Sequence, residues 1–164
     1  MTHRIELLKA DLMDQLKNLT RLEDDFKRVA ATLSLPADKV PAYDRGAIGY
    51  ILHSFYNLCE NMFQLIARFF ENDLGPKDWH KDLLKRMKLE IHGFRPRVLD
   101  DELYGHLDDF RAFRHRFRHS YSYELDWDKE RLVAEKFPKT SKMVKKQIEH
   151  FISQLGSLDF PPSG

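Results

Sequence analysis

Residues 1–35 contain neither proline nor glycine, and apolar residues recur along them at alternating steps of three and four. One set recurs every seven residues and comprises Ile5, Leu12, Leu19, Phe26 and Leu33. A second set lies between them and comprises Leu8, Leu22 and Val29, with Gln15 as its polar member. This spacing is typical of one face of an α-helix. It predicts a first helix of roughly 30 residues, about 45 Å long.

A second long helix follows the break LPADKVPAYDRG, which contains two prolines and a glycine. We expect it to run from about Asp44 to Asp73, because three apolar rows continue along this segment. Tyr56, Phe63 and Phe70 form the third row. Either neighbouring helices of the same chain or a second copy of the chain must cover it. The second alternative predicts a homodimer through this helix.

The rest of the chain is predicted to be helical as well. We expect a short helix over Lys77–Lys88, a loop at IHGFRPRV, and a further helix with Asp100 as its N-cap. A short helix and a turn ending at Pro138 come next. Thr140 or Ser141 then caps a last amphipathic helix.

These elements predict an all-α fold, since no segment shows the alternation of a β-strand. We expect an up-and-down bundle of four to five helices, with two long helices at the N-terminus. The chain of 164 residues favours a single domain over 1–164, in which residues 156–164 form a loose tail.

The composition limits the classes of function. Hydrophobic residues make up 42% and charged residues 32%, which is typical of a globular protein. The net charge of +1 excludes a globally basic nucleic-acid-binding protein, so any such surface must be local. Cys59 is the only cysteine, so no internal disulfide is possible. No signal peptide and no apolar run long enough to span a membrane is evident, and we expect a soluble cytoplasmic protein without a membrane partner.

The stretch RAFRHRFRHSY, residues 111–121, combines a helical core pattern with a concentration of positive charge. Leu103, Leu107 and Phe110 begin a core stripe, whose next positions are Arg114, Phe117 and Tyr121. Burying an unpaired charge costs several kcal/mol. Arg114 must therefore reach water, pair with an acid on a neighbouring helix, or meet a ligand.

Arginine and histidine together suit phosphodiester chemistry. A guanidinium holds a phosphate by two hydrogen bonds, and an imidazole transfers protons near neutral pH. RNA carries its own nucleophile, the 2′-OH group, so such a site needs no metal. On an ideal helix His119 lies about 140° from Arg114. For both to act on one ligand, the helix must end or distort near His119, or a second chain must supply one of them.

The segment from Arg114 to Tyr121 resembles the R-x4-H-x-Y signature of HepT-type proteins of the HEPN superfamily. The residue after the arginine, His115, is polar, as is usual in that signature. The resemblance extends to the frame of two long helices, a motif at the end of a later helix, and a final amphipathic helix. It spans most of the chain.

The resemblance implies a dimer that acts as a metal-independent endoribonuclease toxin, with RNA as substrate and no cofactor. It also implies a minimal nucleotidyltransferase antitoxin as partner, which adds AMP units to the motif tyrosine. By residue, Arg114 would stabilise phosphate charge and His119 would be the general acid/base. Tyr121 would assist binding and be modified, although Tyr123 is close enough to compete. His115, Arg118 and Arg111 are accessory candidates, and the roles of His115 and His119 could be exchanged.

Two other interpretations stay open. His115 and His119 are four residues apart on one helix face, a spacing that can chelate zinc, although the flanking arginines would repel the cation. Alternatively, the chain is a non-catalytic HEPN interaction or nucleotide-binding module that partners a nucleotidyltransferase. We expect no metal site, and the presence of both Arg114 and His119 favours catalysis over a scaffold.

Overall fold

A computed structural model describes residues 2–71, 79–119 and 126–158 of the chain. Its α-helices are α1 (Thr2–Val29), α2 (Ala42–Glu71), α3 (Trp79–Met87), α4 (Asp101–His119) and α5 (Trp127–Leu155). Two short 3-10 turns, Ala30–Ser34 and Ala37–Lys39, join α1 to α2. The described residues form no β-strand, only an isolated bridge between Ile91 and Arg95. The predicted all-α class is confirmed.

The four long helices form an up-and-down bundle, and α2 contacts each of the other helices. The Arg4 guanidinium at the start of α1 lies 5.7 Å from the centre of the Phe69 ring near the end of α2, so these helices are antiparallel. Lys136 of α5 pairs with Asp109 of α4 at 2.7 Å, and Lys139 pairs with Glu102 at 3.1 Å. The later residue of α5 meets the earlier residue of α4, so these two helices are antiparallel too. No helix of the described ranges is both long and apolar enough to cross a membrane.

One layer of phenylalanine rings connects all four long helices. The Phe26 ring of α1 lies 4.7 Å from that of Phe137 of α5, and Phe137 lies 5.1 Å from Phe55 of α2. Phe55 in turn meets Phe110 of α4 edge-on at 5.0 Å. Aromatic pairs at such distances contribute about 0.5–1.5 kcal/mol beyond the area they bury. This layer fixes the rotation of α4 about its axis.

The stripe of α1 differs from the predicted one at its centre. Leu16 is buried at 7% exposure between Leu12 and Leu19, while Gln15 is only half-buried. A straight helix has 3.6 residues per turn, so a strict seven-residue repeat drifts by about 20° each time. At this turn of α1 the core-facing residue is therefore Leu16 and not the predicted Gln15.

The third apolar row of α2 is covered within one copy of the chain. Tyr56 is 0%, Phe63 is 1% and Phe70 is 7% exposed. Neighbouring helices thus provide the cover, and the row gives no reason to invoke a dimer. The homodimer through this helix therefore stays a prediction without support from this row.

A single helix replaces the predicted short helix, turn and last helix. α5 begins at its N-cap Asp126, whose side chain accepts a hydrogen bond from the Asp128 backbone, and it continues through the exposed Pro138 to Leu155. Thr140 and Ser141 are buried inside it and cap nothing. Proline removes one helical hydrogen bond at a cost of ~3 kcal/mol or more. The buried stripe on both sides of Pro138 offsets this cost by packing against α1, α2 and α4.

The start of α4 follows its predicted signal. The Asp100 Oδ1 atom accepts a hydrogen bond from the Leu103 backbone at 2.8 Å, so the predicted N-cap of α4 is confirmed. After α5, the Ser157 backbone N–H donates to the Gln154 carbonyl. Residues 159–164 of the predicted tail lie outside the described residues.

Candidate functional site

The C-terminal half of α4 concentrates the positive charge of the chain. Residues 111–119 include four arginines and two histidines. Cationic side chains suit a helix C-terminus, where the helix dipole leaves partial negative charge. Phe110 and Phe113 are buried and Phe117 is partly buried against the core, so this side of α4 faces the bundle. Arg114 follows Phe113 directly and points toward α2.

Arg114 is held by two side chains of α2. Its Nε donates to the Asn57 Oδ1 atom at 2.5 Å, and its Nη1 donates to the Glu60 Oε1 atom at 3.0 Å. The Glu60 side chain is only 4% exposed, whereas that of Arg114 is 16% exposed. The arginine at the core position thus pairs with an acid on a neighbouring helix, one of the alternatives that the sequence left open.

The same contacts leave the Nη2 group of Arg114 available. A guanidinium has five N–H donors, and Asn57 and Glu60 occupy one on Nε and one on Nη1. Within the described part of the chain, Nη2 has no hydrogen-bond partner. Because hydrogen bonds at two of the three nitrogens fix the plane of the group, the Nη2 group has a defined direction.

Asn57 continues the polar contacts along α2 to His53. The Asn57 Nδ2 and His53 Nε2 atoms are 3.0 Å apart. The His53 ring packs 5.4 Å from the ring of Phe117. Burial lowers the pKa of His53 most, and the charges of Arg114 and Arg118 lower it further. His53 is therefore neutral at neutral pH.

His119 and His115 lie on the exposed side of α4. Their ring centres are 4.8 Å apart, as expected for residues four positions apart on one face. α4 remains helical up to His119, the last residue before a gap in the described ranges. Between described residues of one copy, no contact joins His119 to Arg114. The structure therefore brings Arg114 to Asn57 and Glu60, not to His119.

The accessory arginines differ from one another. Arg111 donates from Nε to the Asp108 Oδ1 atom at 2.8 Å, so its charge is largely matched within α4. Arg116 and Arg118 are exposed, and the charge of Arg118 reaches His53. Arg118 is the accessory cation that adjoins the Arg114 contacts.

Tyr121 and Tyr123, the candidates for modification, lie outside the described residues. No group of three or more His, Cys, Asp or Glu side chains in the described ranges is arranged to hold a metal ion. Cys59, set aside as a core residue, is buried in α2, and burial raises the pKa of its thiol.

Comparison with known proteins identifies the family of this chain. Residues 47–155, about two thirds of the chain, match the family model described as HepT-like protein. The chain belongs to the HepT-like family. No curated protein and no solved structure matches it. The matched segment of this HepT-like protein begins inside α2 and ends with α5, so it includes Arg114, His119 and the α2 residues that hold Arg114.

Three residues of α2 were missed as parts of the site. His53, Asn57 and Glu60 are spaced by four and three residues, which places them on one face of a helix that is otherwise mostly apolar. In the sequence of this HepT-like protein, these three polar residues on one face were the signal that could have indicated a site on α2. Only the packing of α4 against α2, however, shows that this face meets Arg114.

Proposed function

We propose that this HepT-like protein is a metal-independent endoribonuclease. The observation that carries the proposal is the environment of Arg114, a guanidinium oriented by two hydrogen bonds that it donates to α2, with its Nη2 group left for a ligand. Held in this way, it loses little conformational freedom when it binds a phosphate, and it offsets charge that grows on the phosphorus oxygens.

His119 is the proposed general acid/base. As a base it removes the proton of a ribose 2′-OH group, and the 2′ oxygen attacks the adjacent phosphorus. The bond from phosphorus to the 5′ oxygen breaks, and that oxygen takes up a proton from the His119 imidazolium or from water. The products are a 2′,3′-cyclic phosphate end and a 5′-OH end. No metal or cofactor enters this balance.

The site is complete only in a homodimer. Arg114 faces α2, whereas His119 lies on the exposed side of α4 with His115. A second copy of the chain that packs along α4 and contacts both sides would bring its own His119 to Arg114 of the first copy. The exposed Arg116 and Arg118 would then attract the RNA backbone locally, although the whole chain has a net charge of only +1.

The family supports a role as the toxin of a toxin–antitoxin pair. The proposed antitoxin is a minimal nucleotidyltransferase, which silences the toxin by adding AMP units to Tyr121 or Tyr123. AMP adds negative charge beside the arginines and competes there with the RNA phosphates. We place this activity in the cytoplasm.

One observation favours a non-catalytic module instead. Arg114 forms a buried ion pair with Glu60, as a purely structural arginine would. In that case the chain binds RNA or nucleotide through its arginines and cuts nothing, and the nucleotidyltransferase remains its partner.

The first test is RNA cleavage in EDTA. Wild type should cut, His119→Ala should lose about 10²–10⁴-fold of the rate, and Arg114→Lys about 10²–10³-fold. Lysine keeps a cation beside Glu60, so it avoids the loss of about 3–5 kcal/mol expected when a buried ion pair loses one partner. The measurement is the rate of product formation, with mass spectrometry of the 2′,3′-cyclic end.

Two control variants distinguish the loss of a site residue from the general effect of removing an exposed arginine or histidine. Arg21→Ala on α1 and His92→Ala in the loop after α3 remove exposed residues of the same types, and both should cut like wild type. Equal cleavage by His119→Ala and wild type refutes the catalytic role. RNA binding without cleavage by the folded wild type favours the non-catalytic module.

A further inference from the structure

His53, Asn57, Arg114 and Glu60 form one continuous series of polar contacts across α2 and α4. The distances are 3.0 Å from His53 to Asn57, 2.5 Å from Asn57 to Arg114, and 3.0 Å from Arg114 to Glu60. Asn57 connects the histidine to the arginine, because it touches both.

The chemistry of the donors fixes the direction of every bond in this series. An arginine side chain only donates, so the Asn57 amide oxygen must face the Arg114 Nε atom. The Asn57 NH2 group then faces His53, and since this group only donates, the His53 Nε2 atom must accept. His53 is therefore neutral in this arrangement, with its proton on Nδ1.

Burial and neighbouring charges favour the neutral form of His53, since burial has the largest effect in lowering its pKa. The Nδ1 atom itself is buried and has no hydrogen-bond partner among the described residues. From α4, the positive charges of Arg114 and Arg118 oppose a second proton on the ring, and Phe117 covers one side of it. α5 contributes Glu130, which packs against Gly49, one turn before His53 on α2.

We propose that His53 is a positioning residue for Arg114, which it holds through Asn57 while it is neutral and releases when it is protonated. A protonated imidazole donates from both nitrogens, so Nε2–H would meet the Asn57 NH2 group donor to donor. The amide must then turn over, which places its NH2 group against the Arg114 Nε–H group. Arg114 loses that hydrogen bond and keeps only the contact with Glu60.

For RNA cleavage, the inference rests on the proposed function. If Arg114 must be oriented to hold a phosphate and His119 must be unprotonated to act as base, two protonations inactivate the enzyme in acid. The logarithm of kcat/KM then falls with pH at a slope that approaches about two in wild type. In His53→Gln one protonation remains, because the glutamine carbonyl accepts from Asn57 at every pH, and the slope approaches about one.

Nuclear magnetic resonance of the full ¹⁵N-labelled chain tests the contacts without any cleavage assay. Between about pH 5 and about pH 8.5, the ring nitrogens of His53 should report the Nδ1–H form at the upper end. The Arg114 Nε resonance should shift with the same midpoint as His53. The exposed His92 provides an internal reference resonance, and His92→Gln is the control variant.

Two substitutions change the series in opposite ways. In His53→Gln the Arg114 Nε resonance should no longer respond over this range. In Asn57→Asp a carboxylate accepts from both neighbours, so His53 should donate from Nε2, and the pKa of His53 should rise. The Nε2–H form in wild type at about pH 8, or an Arg114 resonance that ignores the protonation of His53, overturns the proposal.

The cleavage and resonance experiments distinguish failure of the proposed function from failure of the proposed role of His53. A folded protein that cuts no RNA refutes the proposed function, and the resonance data alone then decide the role of His53. Equal acid slopes of cleavage in wild type and His53→Gln overturn the control of activity by His53, even where the proposed function holds.

Discussion

Glu130 is a carboxylic acid in the interior of the bundle, 2% exposed, in the first turn of α5. Its Oε1 atom has no hydrogen-bond partner among the described residues, and a Cβ atom placed on Gly49 would lie 3.2 Å from it. Burial raises the pKa of Glu130 to about 7, against smaller lowering effects of Arg45 and of the Gly49 backbone. This carboxyl group therefore titrates near neutral pH in the folded protein.

The raised pKa of Glu130 makes the stability of the protein depend on pH. Between the ordinary value of 4.5 and about 7, Glu130 holds its proton more firmly in the folded protein than in the unfolded chain, so its contribution to stability falls as pH rises through this window. Glu130→Gln removes the dependence and, at about 1.4 kcal/mol per pKa unit, raises the free energy of unfolding above about pH 7 by about 3 kcal/mol. Denaturant unfolding at about pH 5 and about pH 8 measures it.

The exposed Glu149 of α5 offers the control. Glu149→Gln should keep the pH dependence of wild type, because its side chain is hydrated in the folded and unfolded states alike. If Glu130→Gln also keeps that dependence, the carboxyl group does not titrate as its burial requires.

At the scale of the helix, two glycines of α2 have opposite roles. A Cβ atom on Gly49 would lie 2.8 Å from the Phe117 ring, so this glycine lets α4 pack close to α2. Gly46, one turn earlier, has nothing within 4 Å of such an atom. The close approach at Gly49 brings Phe117 against His53, beside the side chains that hold Arg114.

The two glycines form a matched pair for a stability test. Gly49→Ala should lower the free energy of unfolding by about 1–3 kcal/mol, because Phe117 or the helices must move. Gly46→Ala should raise it by about 0.5–1 kcal/mol, because alanine favours a helix and meets no neighbour. Thermal and denaturant unfolding of both variants provide the comparison. Equal effects at the two positions contradict the close packing.

The elements also show what the sequence can and cannot predict. The apolar spacing predicted α1, α2 and α4, and Asp100 predicted the start of α4, because these signals are local. Pro138 gave a misleading local signal, since tertiary packing carries α5 through it. Arg114 was found as a charge in a core stripe, but Asn57 and Glu60 were not, because only the packing of α4 on α2 decides which residues face it.

At the scale of the whole molecule, the arrangement of one copy separates the two proposed functional groups. The rings of Phe55 and Phe110 pack α4 against α2 and so fix its rotation, which turns Arg114 inward to Asn57 and leaves His119 on the exposed side. Within one copy, the described helix therefore holds the two groups on different sides of α4. The proposed site draws Arg114 from one copy and His119 from a second.

Mixing two inactive variants tests this composite site. Arg114→Lys and His119→Ala should each be nearly inactive alone, whereas a mixed dimer with the proposed site should have one site with an intact Arg114 and an intact His119. Random mixing makes about half of the dimers mixed, with one working site of two, so cleavage should recover to about one quarter of wild type. Co-expression with two different affinity tags isolates the mixed dimer, whose expected activity is about half of wild type. A site built within one copy would leave the mixed dimer inactive, because every copy then lacks one of the two groups.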